Sequence, residues 1–214
     1  MNSKVLDSQR KSPQQDRSKD LVGSILEATV RILPQIGSRN ITTKKIADFA
    51  GVSIGSLYQY FPNKESVLAA LIDLAMKNKT AEAHKKIQEI SGKSIDESVS
   101  ILVDFALDMF LKEREKNREL FLQAPELGRI PTLLKLRQTV VEQLALEMEK
   151  HHPGLERKKY IRVSFIAVNS LMGVIHTTIY DESQDYSIAE LSTELKSMLI
   201  AYFQSHIKSS LFSR

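Results

Sequence analysis

Apolar residues recur every three or four positions along nearly the whole chain after residue 17, and no run alternates between apolar and polar as a half-buried strand does. The 8 glycines and 6 prolines lie between these periodic segments, as residues that interrupt helices should. The pattern therefore predicts an all-α fold. The longer predicted helices cover about 18–36, 63–90, 95–116, 130–150, 155–180 and 188–207, with a short one near 118–123.

Two further short helices are predicted between Thr42 and Pro62, each with a start and a stop signal. Thr42 and Ser53 are N-cap residues, whose side-chain oxygens accept backbone N–H bonds. Gly51 supplies the left-handed turn between the helices, and Pro62 ends the second one. Two short helices joined by a glycine-containing turn form a helix-turn-helix, which we place at about 42–61.

The spacing of polar stretches divides the chain into four parts. Residues 1–17 are polar and form a basic arm, and residues 18–64 form a three-helix head. Residues 65–90 form a connecting helix, and residues 91–214 form a larger helical body after the break at residues 91–94.

The helix-turn-helix separates an apolar side from a polar one. We expect its outer side to carry hydroxyls, an amide and amines, which suit a DNA groove. We expect the inner side to hold Ile46, Ala47, Ala50, Val52, Leu57 and Phe61, and the outer side Thr43, Lys44, Ile54, Gly55, Ser56, Gln59 and Tyr60.

The stretch from Thr42 to Lys64, TTKKIADFAGVSIGSLYQYFPNK, resembles the DNA-binding domain of TetR-type regulators. Their pattern is T-x-x-x-I-A-x-x-A-G-V-S-x-G-S-L-Y-x-Y-F-x-N-K, and each of its fixed elements occurs here. The resemblance implies a homodimeric transcription factor that binds near-palindromic operator DNA. It also implies a repressor that a small effector releases; an activator, or an architectural DNA-binding protein without a ligand, is the alternative.

The same resemblance implies a role for each matching position. The recognition helix would place Ile54, Gly55, Ser56 and Gln59 at base edges, where Gln59 can pair with adenine and Ile54 can contact a thymine methyl group. Tyr58, Tyr60 and Lys64 would contact phosphates. The complete expected DNA-binding set is Thr42, Thr43, Lys44, Ser53, Ile54, Gly55, Ser56, Tyr58, Gln59, Tyr60 and Lys64.

The two tyrosines of the predicted recognition helix lie two positions apart, so they point in nearly opposite directions and cannot both be core residues. We expect Tyr60 to face outward and Tyr58 to be partly packed with an exposed hydroxyl.

Charge is concentrated in the first third of the chain. Residues 1–64 hold ten basic and five acidic residues, a net charge of +5, whereas the remaining 20 basic and 21 acidic residues give −1. This asymmetry is typical of a polyanion-binding end, although a basic tail can also be only a solvated segment.

Composition excludes several other classes. The chain has no cysteine, which excludes disulfides and thiol chemistry, and we expect neither a cofactor nor a metal. No apolar run approaches the roughly 18 residues of a membrane span, and no signal peptide is evident, so we expect a cytoplasmic protein. Glu147 and His151 stand four apart, but the two histidines His151 and His152 also suit a helix C-terminus.

One enzyme motif occurs but does not indicate an enzyme. Residues 51–55 match G-x-S-x-G, the nucleophile elbow of hydrolases, which requires a preceding β-strand. The preceding residues have a helical pattern, so Ser53 is better explained as an N-cap.

The last two predicted helices, at about 155–180 and 188–207, each have two apolar faces. In the first, one stripe is Ile161, Phe165, Val168, Met172, Ile175 and Ile179. Two such faces predict burial against a second copy of the chain, and a monomer core is the alternative.

An effector pocket in the body is implied by the family resemblance alone, with a hydrophobic or amphipathic ligand. Side chains at helical spacing are also typical of an ordinary core. The residues proposed for this pocket are Phe105, Met109, Phe121, Leu144, Asn169, Met172 and His176.

Overall fold

The computed structural model describes residues 16–181 and 185–208. Within these ranges the chain forms nine α-helices and no β-strand, so the all-α prediction is confirmed. Residues 1–15, which make up most of the predicted arm, lie outside the described residues. The helices are α1 (Asp16–Asn40), α2 (Thr43–Ala50), α3 (Ile54–Tyr60), α4 (Lys64–Glu89), α5 (Ile95–Leu111), α6 (Arg114–Gln123), α7 (Ile130–His151), α8 (Arg157–Tyr180) and α9 (Ile188–Lys208).

The described residues form two compact units. The first unit contains the chain up to Met76 together with Glu115–Leu133, and the second contains Lys77–Arg114 and the chain from Leu134 onward. The helix α4 begins in the first unit and continues into the second. Helix α6, which the sequence pattern placed with the body, packs with the head. The predicted domain boundaries at 64, 90 and 91 stay a prediction, since packing units and domains are different divisions of a chain.

Helix α1 changes direction near its end. Gly37 adopts φ 73 and ψ 156, so the regular helix ends there, as the glycine predicted. The next backbone N–H, that of Ser38, donates to the Glu119 carboxylate of α6 at 2.7 Å. A charged acceptor therefore satisfies a backbone donor that the turn leaves without a helical partner.

A second polar cluster joins α4 to the start of α7 within the first unit. The Arg129 guanidinium lies 3.1 Å from the Asp73 carboxylate, and the Thr132 hydroxyl donates to the same carboxylate at 3.2 Å. Arg129 is buried, so its pairing with Asp73 offsets the cost of removing its charge from water.

The second unit is organised around α5, which contacts both α8 and α9. A capping box begins α5: the Ser94 side chain accepts the Glu97 N–H, and the Glu97 carboxylate accepts the Ser94 N–H. The buried Lys79 ammonium donates to the Met109 carbonyl at 2.7 Å and lies 4.5 Å from the centre of the Phe110 ring.

The core stripe predicted for α8 is only partly correct. Val168, Met172, Ile175 and Ile179 are buried, but Ile161 is 37% exposed and Phe165 is 57% exposed. Packed helices cross at an angle, so the face that meets its neighbours shifts along the helix, and periodicity alone does not locate that shift.

Helix α8 is also long and apolar enough to cross a membrane by length and composition, contrary to the expectation that no segment would be. In this fold 44% of its most apolar stretch is buried inside the second unit. A core helix of a globular protein passes the same test, so the feature is weak evidence for a membrane segment.

Candidate functional site

The turn between α2 and α3 has the hydrogen bonds of a Schellman motif. Gly51 adopts φ 66, its N–H donates to the Asp48 carbonyl at 3.3 Å, and the Val52 N–H donates to the Ala47 carbonyl at 3.0 Å. A left-handed residue is required there, and glycine adopts it without a Cβ clash. The turn thus sets the direction in which α3 leaves α2.

Side-chain caps begin both helices, as the sequence predicted. The Thr42 hydroxyl accepts the Lys45 N–H at 3.2 Å, and the Ser53 hydroxyl accepts the Ser56 N–H at 3.0 Å. Ser53 follows a helix and caps another, so it lies in no strand-to-helix elbow. Its hydroxyl also lies 2.8 Å from the Ser56 hydroxyl, which leaves both serines engaged in local bonds.

Helix α3 has a clearly divided surface. Ile54, Gly55, Tyr58 and Gln59 are exposed and form one stripe, because they occupy positions i, i+1, i+4 and i+5. Leu57 and Phe61 on the opposite side are fully buried. The core therefore determines which side of α3 faces outward.

The predicted outward orientation of Tyr60 is wrong. Tyr60 is only 7% exposed, and its hydroxyl donates to the Ser18 hydroxyl of α1 at 3.1 Å. It lies three residues after Leu57 and so shares the buried face of α3. The opposed orientation of the two tyrosines was correct, but Tyr60 is the one on the buried face.

Tyr58 is the outward tyrosine and is 43% exposed. Its hydroxyl lies 3.0 Å from the Thr43 hydroxyl at the start of α2. This contact joins the exposed edges of the two helices, so a phosphate or base that reached one hydroxyl would be close to the other.

The basic residues of this surface differ in what they contact. Lys44 is exposed and has no partner among the described residues, whereas the Lys45 ammonium donates to the Asn40 carbonyl at 3.0 Å. The Lys64 ammonium is 3.3 Å from the Ser38 carbonyl and 3.4 Å from the Arg39 carbonyl, at the end of α1. Lys44 is thus the cation of the predicted set that is ready to contact a phosphate.

Sequence reasoning left Arg39 and Lys45 out of the predicted set. Both are exposed and adjoin the N-terminus of α2. Arg39 lies three residues before Thr42 and Lys45 directly follows Lys44, and this proximity was a usable signal. The one acidic side chain exposed on α2 is Asp48. The surface is therefore positively charged and carries a stripe suited to reading base edges.

In the second unit, four of the seven predicted effector residues line one apolar cleft. These are Phe105 and Met109 of α5, Leu144 of α7 and Met172 of α8. The cleft encloses about 630 Å³ when the space open to solvent is counted. The remaining lining residues are Ala83, Ile87, Leu102, Ala106, Phe110, Leu136, Arg137, Val140, Val168 and Leu171.

The other three predicted effector residues do not line this cleft. Phe121 is buried in α6, within the first unit. The Asn169 amide donates to the Phe165 carbonyl of its own helix at 2.8 Å. His176 lies beside Arg137, whose guanidinium Nη2 is 3.1 Å and 3.0 Å from the two ring nitrogens.

His176 is held in its uncharged form. Burial, followed by the positive charge of Arg137, lowers the pKa of His176 to about 4. Sequence reasoning missed Arg137, although a signal existed. It shares one helix face with Val140, Val141 and Leu144, so it is a charged residue within an apolar stripe.

The Glu147 and His151 side chains considered for metal binding contact each other. The His151 ring nitrogen is 3.3 Å from Glu147 and 3.1 Å from the Ser91 hydroxyl. Within residues 16–181 and 185–208, no group of three or more histidine, aspartate or glutamate side chains is arranged to hold a metal ion.

Helices α8 and α9 each keep a second apolar face exposed. On α8 this face includes Phe165, 57% exposed, and Ile166, 44% exposed. On α9, Ile188 is 51% exposed and Met198 is 47% exposed, while Leu195, Leu199 and Phe203 are buried.

Comparison with known families agrees with both units. Residues 25–71 match the family model described as bacterial regulatory proteins, tetR family. Residues 94–203 match the model described as tetracyclin repressor-like, C-terminal domain.

Relatives and solved structures are more distant. The nucleoid occlusion factor SlmA of Actinobacillus pleuropneumoniae is 29% identical over 91 residues, and the match covers 41% of this chain and 45% of that protein. The chain thus spans less than half the length of the curated relatives that it matches.

Two solved structures show the same fold over most of their length. A TetR-family regulator from Mesorhizobium loti has a TM-score of 0.75 at 15% identity, covering 89% of this chain and 98% of that one. The transcriptional regulator FadR of Bacillus subtilis, in complex with stearoyl-CoA, has a TM-score of 0.58 at 21% identity, covering 84% of this chain and 98% of that one. With a helix-turn-helix in its first unit and family models matching both units, this chain belongs to the TetR family of DNA-binding transcriptional regulators and is not an enzyme.

Proposed function

We propose that the protein is a cytoplasmic, homodimeric repressor that binds a near-palindromic operator and leaves it when a small, largely apolar effector binds the second unit. The observation that supports this most directly is the exposed stripe of α3, with Gln59 available for an adenine and Ile54 for a thymine methyl group. Lys44 and Tyr58 beside it would contact phosphates and set the position on the duplex.

The proposed DNA contacts exclude direct contact by Tyr60, because its side chain is buried. Tyr60 instead would support the recognition helix by binding Ser18 of α1. Lys64 would act similarly, through the carbonyl groups that end α1. Thr42, Ser53 and Ser56 would act mainly as caps that hold the two helices.

Dimerisation would use the exposed apolar faces of α8 and α9. Side chains such as Phe165 and Met198 leave large apolar surfaces in water, and a second copy related by a two-fold axis would cover both faces. A dimer places two recognition helices on one DNA face, about 34–36 Å apart when half-sites are one turn apart.

The apolar cleft of the second unit would hold the effector. It is the cleft lined by α4, α5, α7 and α8, and the stearoyl-CoA complex of FadR is a neighbour of the same fold that holds an apolar chain. Helix α4 supplies Ala83 and Ile87 to this cleft and Val67 and Leu68 to the core of the first unit. A ligand that favours one position of α4 would shift the population of DNA-binding forms.

The first test is binding of the full-length protein to the intergenic duplex beside its own gene, with random duplex as competitor and salt varied. We expect tight binding to a short near-palindrome that survives the competitor. Gln59→Ala should reduce binding to that site by roughly 1–3 kcal/mol, because it removes a bidentate base contact. Gln35→Ala, which truncates an exposed glutamine on α1, is the matched control and should leave binding unchanged.

Weak, salt-sensitive binding to every duplex would refute sequence-specific repression at that locus. It would support an architectural role instead, since phosphate contacts alone carry no sequence information. Equal losses in Gln59→Ala and Gln35→Ala would refute readout through α3.

A further inference from the structure

The cleft of the second unit contains one charged side chain in an otherwise apolar wall. Its lining comes from α4, α5, α7 and α8, and among the described residues that line it Arg137 is the single charged one. Arg137 lines the cleft, and its guanidinium Nη2 lies 3.0–3.1 Å from the ring nitrogens of His176, which is not among the lining residues. The side chain therefore has its apolar part in the cleft and its charged part at the edge.

Arg137 has no acidic partner in the part of the chain that the structure describes. Its hydrogen-bonding neighbour is the His176 ring, 3.0–3.1 Å away, which is neutral and brings no negative charge. Other cations of the second unit differ: Lys86 pairs with Glu89 at 2.6 Å, and Lys196 pairs with Asp104 at 2.6 Å.

A partly buried cation without a counter-ion is unfavourable. Burial lowers the pKa of Arg137, and no carboxylate within residues 16–181 and 185–208 opposes that effect. Folded proteins normally pair such charges, because desolvation of an unpaired charge has a high free-energy cost. An incoming anion would supply the missing charge, and a guanidinium binds carboxylates in a planar, two-bond geometry.

We propose that the effector is an amphipathic anion, whose apolar chain fills the cleft beside Phe105 and Met109 and whose negatively charged head group binds the Arg137 guanidinium. The apolar part of Arg137 would lie beside the tail of such a ligand, and its guanidinium would lie beside the charged head group. One side chain would therefore fix both the position and the orientation of the ligand. The inference rests on the proposed function for the identity of the site, and it adds the charge and polarity of the ligand.

The test uses three ligands with one tail and different heads: decanoate, decan-1-ol and decyltrimethylammonium, all below micelle-forming concentrations. Binding to the full-length protein is measured by calorimetry. We expect decanoate to bind about tenfold or more tighter than decan-1-ol, as expected for a hydrogen bond to a charged group, and the cation to bind most weakly.

Arg137→Met should lower decanoate affinity about tenfold and leave decan-1-ol affinity unchanged, since methionine keeps the apolar stem. Lys135→Met, which removes an exposed cation two residues away on α7, is the matched control and should change neither value. If Arg137→Met does not fold, the head-group series on the natural protein decides the question alone.

Three results would overturn the proposal: equal binding of the three ligands, no binding by any of them, or undiminished decanoate binding in Arg137→Met. Operator release is measured in the same samples, which separates this inference from the proposed function. Release by decan-1-ol but not decanoate would retain effector control and reject the anion. Tight decanoate binding without release would retain the anion site and reject effector control.

Discussion

The surface of α2 and α3 and the cleft of the second unit are both made of residues at helical spacing, but different forces hold them in place. Caps and turns a few residues apart determine the DNA-facing surface, as in the Gly51 turn and the Ser53 cap. Contacts between residues far apart in the chain determine the cleft, such as Arg137 with His176. The first kind of site is readable from short motifs, whereas the second depends on how whole helices pack.

The two regions also differ in the kind of surface that each exposes to solvent. The first unit exposes polar and basic side chains such as Gln59 of α3 and Lys44 of α2, while the second unit exposes apolar side chains on α8 and α9. Under the proposed function, the second unit brings two copies of the first unit together, so a change far from DNA should affect DNA binding more than most changes on α3.

The largest expected effect therefore comes from Phe165→Glu on α8. A carboxylate in the proposed dimer face should separate the copies and lower operator affinity about a hundredfold or more, because two linked half-sites bind far more tightly than one. Sedimentation velocity and operator binding measure the two effects.

Leu146→Glu is the control for that variant. Leu146 is 54% exposed on α7, outside the α8 and α9 faces, so its substitution should leave the protein dimeric and bound to DNA. A dimer that persists in Phe165→Glu would show that another surface holds the copies together.

Substitutions at two glycines test whether the DNA-facing surface depends on the backbone conformation of single residues in α2, α3 and their turn. Gly51→Ala should destabilise the first unit by about 1–2 kcal/mol, because alanine is strained at φ 66. Gly55 is helical, and a Cβ there would meet only the Ser53 hydroxyl at 3.8 Å, so Gly55→Ala should stabilise α3 by about 0.5–1 kcal/mol.

Operator binding should separate these variants further. Gly55→Ala should weaken it despite the greater stability, since a methyl group stands between α3 and the groove floor. Thermal unfolding and operator binding together check both effects. Unchanged melting of Gly51→Ala would show that the turn does not depend on the left-handed residue.

A smaller effect is expected from the two neighbouring lysines of α2. Lys44→Ala should weaken binding to all duplexes alike and reduce the slope of log affinity against log salt by about 1, as loss of one phosphate contact does. Lys45→Ala should change the slope less, because its ammonium is already bonded to the Asn40 carbonyl. A larger loss in Lys45→Ala would reverse the proposed roles of these residues.

The smallest effect near neutral pH concerns His176 of the second unit. Its pKa is lowered from 6.5 to about 4 by burial and by Arg137, so the folded protein binds fewer protons than the unfolded chain between those pH values. The stability from this histidine is complete above pH 6.5 and is lost as the pH falls toward 4. His176→Gln should flatten this part of the stability curve in denaturant titrations, and an unchanged curve would show that His176 is not the group responsible.

The recognition helix shows how much of the site could be predicted. Its boundaries, caps and turn followed from residues within a few positions of one another, and the exposure of Ile54, Gly55 and Gln59 followed from the spacing. The orientation of Tyr60 did not, because a tyrosine suits either side of a helix and the partner that receives its hydroxyl, Ser18, lies 42 residues away.

The effector residues show the same limit more strongly. Phe105, Met109, Leu144 and Met172 do line the cleft, but Phe121 packs in the first unit and Asn169 bonds its own helix. Apolar side chains at helical spacing look alike whether they fill a core, line a cleft or face a second copy. Only the angles at which the packed helices cross decide which of these three positions a side chain occupies.

The sequence by itself determined the helices, their caps, the glycine turn and the family, because each depends on short-range hydrogen bonds, backbone strain or a dense motif. The tertiary structure alone decided that α6 packs with the head through Glu119 and Ser38, that Tyr60 is buried, and that Arg137 lines an apolar cleft to which no other described residue brings a charge. Each of these features depends on how the helices pack. Packing brings residues that are in most cases 40 or more positions apart in the chain to within a few ångströms of each other.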